Sequence, residues 1–411
     1  MLETAVLYEW LTFGVRWLHV ITAIAWIGSS FYFIALDLGL RRQGPLPEGV
    51  SGEEWQVHGG GFYHIQKYNV APPNLPEHLT WFKWEAYSTW LSGFVLLVLI
   101  YYVSADLYLI DPGVLDLATP LAIALSVASL AFGWLVYDAL CKSRVADSDT
   151  GLMLALFALI VVMAFAYSMV FSGRAAFLHL GAFTATIMSA NVFLCIIPNQ
   201  KIVVADLKAG RSPDPRLGKT AKQRSTHNNY LTLPVLFLML SMHNPLAFQA
   251  EYAWVIAALV FLTGVSIRHF FNTMHAGKGH PWWTWGVTAA LFAAIIWLSV
   301  QGRPDGEAQA LPLSPQQARL AAAPEFEAVH DLVQQHCAMC HATRPFWPNM
   351  ASAPKGVVLE TAAQTAAHAR QIYLHAGRTD AMPPARFALM EPAERALIVR
   401  WYHGAWARQG D

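Results

Sequence analysis

Cys337-Ala338-Met339-Cys340-His341 is the stretch of this chain whose residue types and spacing most narrowly define a chemistry. In a C-x-x-C-H run two thiols are placed to form thioethers with the vinyl groups of a haem, and the adjacent imidazole becomes an axial ligand of its iron. Two other readings exist for the same residues, a redox-active C-x-x-C pair and half of a zinc site. The first needs a strand and a helix around it. The second needs more ligands, and Cys141 and Cys195 lie far away inside apolar runs. The spacing therefore predicts one covalently attached haem c, held by Cys337 and Cys340, with His341 on the iron.

A haem of this kind takes a sixth ligand, and methionine in that place raises its potential. Downstream stands Met382-Pro383-Pro384, on a loop that the prolines hold extended. Small c-type cytochromes present their distal methionine in such a Met-Pro loop, and the stretch from Glu394 to Trp406 resembles their closing helix. Met382 is thus the expected second axial ligand, with Met350 and Met390 as rivals. This module is expected over 326–411 as a small all-α class I cytochrome c domain, tethered by a Gly-, Pro-, Gln- and Ala-rich linker over 303–325.

The elements that must carry this module are of a different kind. Of the 411 residues 55 % are hydrophobic and only 13 % charged, with 16 Trp, far from a soluble average. The formal net charge is zero, which favours neither nucleic acid nor an acidic partner. Two cysteines remain beside the haem pair, so no disulfide framework is implied. Residues 1–302 read as an integral membrane domain, a polytopic helix bundle of about eight spans. They are expected near 11–36, 84–104, 119–141, 151–172, 175–198, 229–247, 252–271 and 282–301. The first run is too long for a signal-peptide core and is expected to stay attached.

Arg41, Arg42, Lys67, Lys142, Arg144, the set from Lys201 to Arg224, and Lys278 follow alternate spans, whereas the opposite loops hold Asp106, Asp111, Asp116 and Glu251, with Arg174 as their only base. Basic loops mark the cytoplasmic side, so both the amino terminus and the carboxyl-terminal module are expected on the outer, periplasmic face of a bacterial inner membrane. Covalent haem attachment outside the cytoplasmic membrane agrees with this placement.

Histidines are numerous for a membrane domain. Threading the spans in alternating directions puts His19, His179 and His243 in the outer half of the bilayer, where paired imidazoles on facing helices could hold a b-type haem as an electron relay. Hydrogen bonding to neighbouring helices is the plainer role for each. A second constellation falls on the inner side. His58-Gly59-Gly60-Gly61-Phe62-Tyr63-His64 follows the first span, and Trp81-Phe82-Lys83-Trp84-Glu85 opens the second. His227-Asn228-Asn229-Tyr230 and Arg268-His269 lie at other inner ends. An aromatic and basic interface belt would account for part of this. A polar pocket accounts for more: aromatics stacking on a flat, nitrogen-rich anion, the amides of Asn228 and Asn229 pairing with its edges, Arg268 or Lys83 balancing its charge, and Trp84 beside them. Proton acceptors there are His58, His64, Glu85, His227 and His269.

The chain resembles the membrane-bound urate oxidases, also called urate hydroxylases, which join a transmembrane amino-terminal part to a cytochrome c. Nearly the whole chain carries the resemblance, through Arg16-Trp17-Leu18-His19 with Trp26-Ile27-Gly28, Val57 to Tyr63, Leu79 to Glu85, Thr226 to Tyr230, Ile267-Arg268-His269 and the terminal haem motif. Trp17-Leu18-His19 with Trp26-Ile27-Gly28 also looks like membrane proteins of copper handling and haem synthesis, some of which bind b-type haem near that histidine. What the resemblance implies is oxidation of urate to 5-hydroxyisourate with water as the oxygen source. The electrons pass through the cytochrome to a soluble cytochrome or terminal oxidase, without hydrogen peroxide. A different class stays open on the residues alone: a non-catalytic or quinol-reacting membrane anchor for a cytochrome. A transporter is disfavoured by the lack of internal repeats, and a terminal oxidase by the lack of a dense mid-membrane histidine set.

Overall fold

The computed structural model describes residues 4–42, 44–72, 74–301, 313–347, 350, 352–384 and 390–407. It is mostly helical. From the amino terminus come α1 (Thr4–Gly39), α2 (Trp84–Leu97, prolonged by a π-helical turn, Val98–Tyr102), the short α3 (Ala105–Tyr108), α4 (Thr119–Lys142) and α5 (Asp149–Ser168). α6 (Gly173–Ala190) continues through a π-helical stretch, Asn191–Ile196, into α7 (Ile197–Lys208). Then follow α8 (Pro215–Ser241), α9 (Pro245–Phe248), α10 (Ala253–His275) and α11 (Trp283–Leu298).

Side-chain oxygens at Ser148, Ser172 and Asp214 cap α5, α6 and α8, satisfying backbone donors that a helix start leaves free. Among the described residues six helical stretches are long and apolar enough to cross a membrane: α1, α2 with its π turn, α4, α5, the continuous α6–α7, and α10. Along α1 large side chains such as Trp10, Trp17 and Ile24 point outward, as lipid-facing residues do. The core lies where α4, α5, α6, α8 and α10 meet, around Leu156, Ile160, Phe183, Leu238, Ile256 and Phe261.

Two of the expected spans depart from the simple pattern. α11 is apolar but only 16 residues long. The expected span 229–247 is instead the second half of α8, which starts at Pro215 and passes Pro234 without breaking. At that point α10 carries Gly264, and any β-carbon there would run into the Pro234 ring, so the two helices approach closely only because this residue is glycine. Arg224, expected in a basic loop, is inside α8 and 1 % exposed.

The all-α expectation needs one correction. Residues after α1 form an antiparallel hairpin, β1 (Val50–His58) and β2 (Gly61–Tyr68), with His58 opposite Gly61. Gly59 (φ +61°) and Gly60 (φ +79°) are its two-residue turn. Positive φ at both central positions suits the twist of the flanking strands, and glycine adopts it without a Cβ penalty.

The carboxyl-terminal unit comprises α12 (Pro315–Ala321), α13 (Phe326–His336), α14 (Ala362–Ala367), α15 (Ala369–Ile372) with a π turn to Gly377, and α16 (Pro392–Ala407). Its core gathers Leu320, Phe326, Val329, Val333, Leu359, Tyr373, Ile398 and Trp401. The linker expected over 303–325 therefore contains a packed helix. Ser314 and Gln317 close a capping box, and Trp401 Nε1 donates to the Leu320 carbonyl at 2.9 Å. The segment 303–312 of that linker lies outside the described residues. The unit sits on the end of the bundle formed by α3, α9 and the start of α1. Gln371 Nε2 donates to Tyr108 Oη at 2.7 Å, and the Arg370 guanidinium lies 4.1 Å over the Tyr8 ring.

Candidate active site

α8 has packed neighbours on several sides, so three consecutive polar residues, turned about 100° from one another, can each be buried against a different helix. His227, Asn228 and Asn229 are 3, 4 and 0 % exposed. His227 Nδ1 shares a 2.8 Å hydrogen bond with Tyr137 Oη of α4. Asn228 accepts from Asn191 Nδ2 at 2.9 Å and donates to the Met188 carbonyl at 2.9 Å. Asn229 Oδ1 accepts from Asn272 Nδ2 at 2.9 Å and from Arg268 Nε at 3.3 Å, both on α10, while its own Nδ2 is buried without a partner.

Two buried guanidinium groups flank this row. Arg224 donates to Asp138 Oδ1 at 2.7 Å and to Asn191 Oδ1 at 3.3 Å, with its charge 4.8 Å over the Tyr137 ring. Arg268 donates only to amide oxygens, of Asn229 and of Asn272 at 3.0 Å, and lies 4.0 Å over the Phe31 ring. Among the described residues no carboxylate pairs with it.

A cavity of about 490 Å³ opens beside Asn228, a size that suits a small ligand. Its aromatic lining is Trp26, Phe33, Trp81 and Phe82, and its polar lining includes Ser29, Ser30, Thr80, Gln200, Ser225 and Asn228. Asn228 has spent one N–H and one lone pair on Met188 and Asn191, leaving one of each for an occupant. Glu85, in the first turn of α2 just after Phe82, has a buried Oε2 without a partner.

The expected constellation thus divides. His227, Asn228, Asn229 and Arg268 come together on α8 and α10, and Glu85 follows the aromatic wall of the cavity. His58 is exposed at the hairpin tip, and His64 is bonded to Glu53 at 2.6 Å and stacked 4.1 Å from Trp55. His269 is exposed, with Tyr230 Oη 3.5 Å away. Lys83 lies 5.8 Å over the ring of Trp84, which is 64 % exposed. Asp138, Tyr137 and Asn191 are not marked by the sequence pattern. Asn191 in the middle of an apolar run was the available signal, because a lone amide there needs partners.

The three relay histidines are held in different ways. His19 Nδ1 bonds the Thr89 carbonyl at 3.0 Å and its ring packs on Gly93 of α2. His179 is fully buried, with Nε2 bonded to Ser126 Oγ and Nδ1 to the Ala175 carbonyl, both at 2.7 Å. Neither nitrogen is left for a metal. His243 is exposed just beyond the end of α8. Of the three, only His179 has both ring nitrogens engaged by the protein, by Ser126 and Ala175.

The C-x-x-C-H run is arranged differently. His341 Nδ1 donates to the Val357 carbonyl at 2.8 Å, which fixes Nε2 as the nitrogen free for a ligand bond. Cys337 and Cys340 are unpaired. Burial, with the neighbouring Cys340 second, pushes the Cys337 thiol up to about 11, whereas a redox-active pair needs a thiolate near neutrality. Among the described residues no group of three or more His, Cys, Asp or Glu could hold a metal, so nothing completes a zinc site. Met382 is 37 % exposed, and its loop is pinned by its own N–H to the His375 carbonyl at 2.8 Å and by Arg395 on the Met382 carbonyl at 3.0 Å. The free thiol pair and the free Nε2 of His341 fit a haem c. Beside them a cavity of about 960 Å³, lined by Arg174, Lys355, Val357 and His368 among others, separates the carboxyl-terminal unit from the bundle.

Comparison with curated proteins and with solved structures finds no match. The urate oxidase N-terminal family model, in contrast, matches residues 5–299, a range that takes in α1 to α11 and the whole buried polar row. The chain belongs to the urate oxidase N-terminal family.

Proposed function

We propose that this protein oxidises urate to 5-hydroxyisourate within a membrane, water supplying the added oxygen and two electrons leaving with two protons. The observation that carries the proposal, beside the family, is Arg268: a buried cation without a carboxylate, next to an unpartnered Asn229 amide and one residue along α8 from the cavity wall at Asn228. An isolated buried charge is expensive, and an anionic occupant offsets that cost. Urate would stack on Trp81 and Phe82 with an edge on Asn228, its charge balanced by Arg268 through a low-dielectric wall. Glu85 would take the proton released as water adds to the ring. Cys337, Cys340, His341 and Met382 would hold a haem c, a group that supplies one-electron transfer toward a soluble cytochrome or terminal oxidase. The basic loops face the cytoplasm in this account, and the carboxyl-terminal unit faces the periplasm.

A second location is favoured by one measurement. Arg268 lies about 22 Å of helix rise from the start of α10, at the end of the bundle that meets the carboxyl-terminal unit. The larger cavity is lined by Val357, whose carbonyl holds His341. Urate bound there against Arg174 or Lys355 would need no relay. The test is an anaerobic visible spectrum before and after urate, with the pyridine haemochrome counted on the same sample. Reduced c-type bands, half a urate consumed per haem, are the expected result. Reduction by a quinol but not by urate would overturn the proposal. Substitutions Arg268→Gln and Arg174→Gln then separate the two locations.

A further inference from the structure

The two faces of the hairpin β1–β2 are chemically unlike. Residues pointing to one side, Glu54, Gln56 and Lys67, lie against α1: Gln56 Oε1 accepts from Tyr32 Oη at 2.9 Å, Lys67 is ion-paired with Asp37, and Glu54 sits over Gly39. On the other side the character changes along the length. Near the base, Glu53 accepts from Gln66 and His64. Toward the tip come Trp55, Val57 and Phe62, which are 62, 72 and 81 % exposed. The register pairs Val57 with Phe62 and Trp55 with His64, so these apolar groups form one continuous patch.

The direction of the hairpin decides what covers this patch. Its base is fastened where α1 ends, by paired backbone bonds between Arg41 and Glu53 at 2.9 Å and by Arg41 to the His275 carbonyl at 2.9 Å. The Gln56–Tyr32 bond then places the distal half beside α1 about 10 Å of helix rise inward from Gly39. α1 is long and apolar enough to span a membrane, so the apolar tip points back toward the bilayer that this helix crosses, and the polar base with Arg41, Arg42 and Lys67 stays at its edge. We propose that the distal half of the hairpin is seated in the lipid headgroup layer, with Trp55, Val57 and Phe62 against the acyl boundary. Tryptophan and phenylalanine suit that depth. The two free edges of a two-stranded sheet bar it from going deeper, because unpaired backbone groups are not tolerated in hydrocarbon. His58 and His64 are then interfacial residues and do not contact substrate.

The test uses the full-length haem protein in nanodiscs, with Cys141 and Cys195 replaced by Ala and a bimane label on Phe62→Cys. The expected result is quenching by lipids brominated near the headgroup, and iodide quenching several-fold weaker than for the same label on Gly210→Cys, an exposed loop position. Full iodide access with no lipid quenching would overturn the proposal. So would protection from both quenchers together with disulfide-linked dimers through position 62, which would assign the patch to a second copy of the chain. Urate-dependent haem reduction, measured on the same samples, is expected to be unchanged whatever the label reports.

Discussion

Arg224 and Arg268 are both buried, both lie over aromatic rings, and both donate to an asparagine on a neighbouring helix, yet only Arg224 has a carboxylate. Asp138 makes the Arg224 cluster electrically complete, and Lys142 adds a second cation to Asp138 at 2.6 Å from the exposed side. Around Arg268 stand amides and Phe31, and Asn229 keeps an N–H pointing at nothing. A satisfied buried ion pair holds helices in register. An unsatisfied one persists where something outside the chain completes it. The same contrast separates the α8 row from the hairpin: His227 and Asn228 are enclosed by partners, whereas His58 and His64, of the same chemical type, lie at the surface.

Asp138→Asn strands Arg224 in the bundle, and the unfolding free energy is expected to fall by about 3 kcal/mol, read as a lower thermal midpoint in detergent while urate affinity in the surviving fold stays near wild type. Gly264→Ala forces α10 away from Pro234 and is expected to cost about 1–3 kcal/mol, with the haem spectrum unaffected. Arg268→Gln removes a cation that donates only to amide oxygens and leaves no carboxylate stranded among the described residues, so its stability is expected within about 1 kcal/mol of wild type. A midpoint drop as large as that of Asp138→Asn would make Arg268 a structural residue like Arg224. His58→Ala and His64→Ala sit on the exposed hairpin and should change stability by less than about 0.5 kcal/mol and urate-driven reduction not at all. Loss of reduction in either would return the hairpin to the substrate site.

Much of the helical layout was legible because an apolar run of span length has few alternatives. The expected 119–141 and 252–271 fall on α4 and α10 within a few residues. α8 was half hidden, since the stretch up to its middle carries Arg224, His227, Asn228 and Asn229, whose polarity reads as a loop until neighbouring helices supply the partners. The hairpin was readable in principle from Gly59-Gly60 between alternating segments, but histidine and glycine there drew attention as ligand chemistry. Ser314-Pro315-Gln316-Gln317 was likewise a capping box inside what looked like a linker. In the site, Arg268, Asn228 and Asn229 could be named from type and position. That Arg224 is neutralised and Arg268 is not depends on Asp138, three helices distant in the chain order, and no local pattern records such a pairing.

The most direct measurement is equilibrium binding of urate to the haem-loaded protein kept fully reduced without oxygen, so that no electron can leave urate, comparing wild type with Arg268→Gln. Loss of one buried charge should weaken urate binding by on the order of a hundredfold, equivalent to about 3 kcal/mol, with the covalent haem content unchanged. Binding as tight as wild type would contradict the assignment of the unpaired arginine to the substrate.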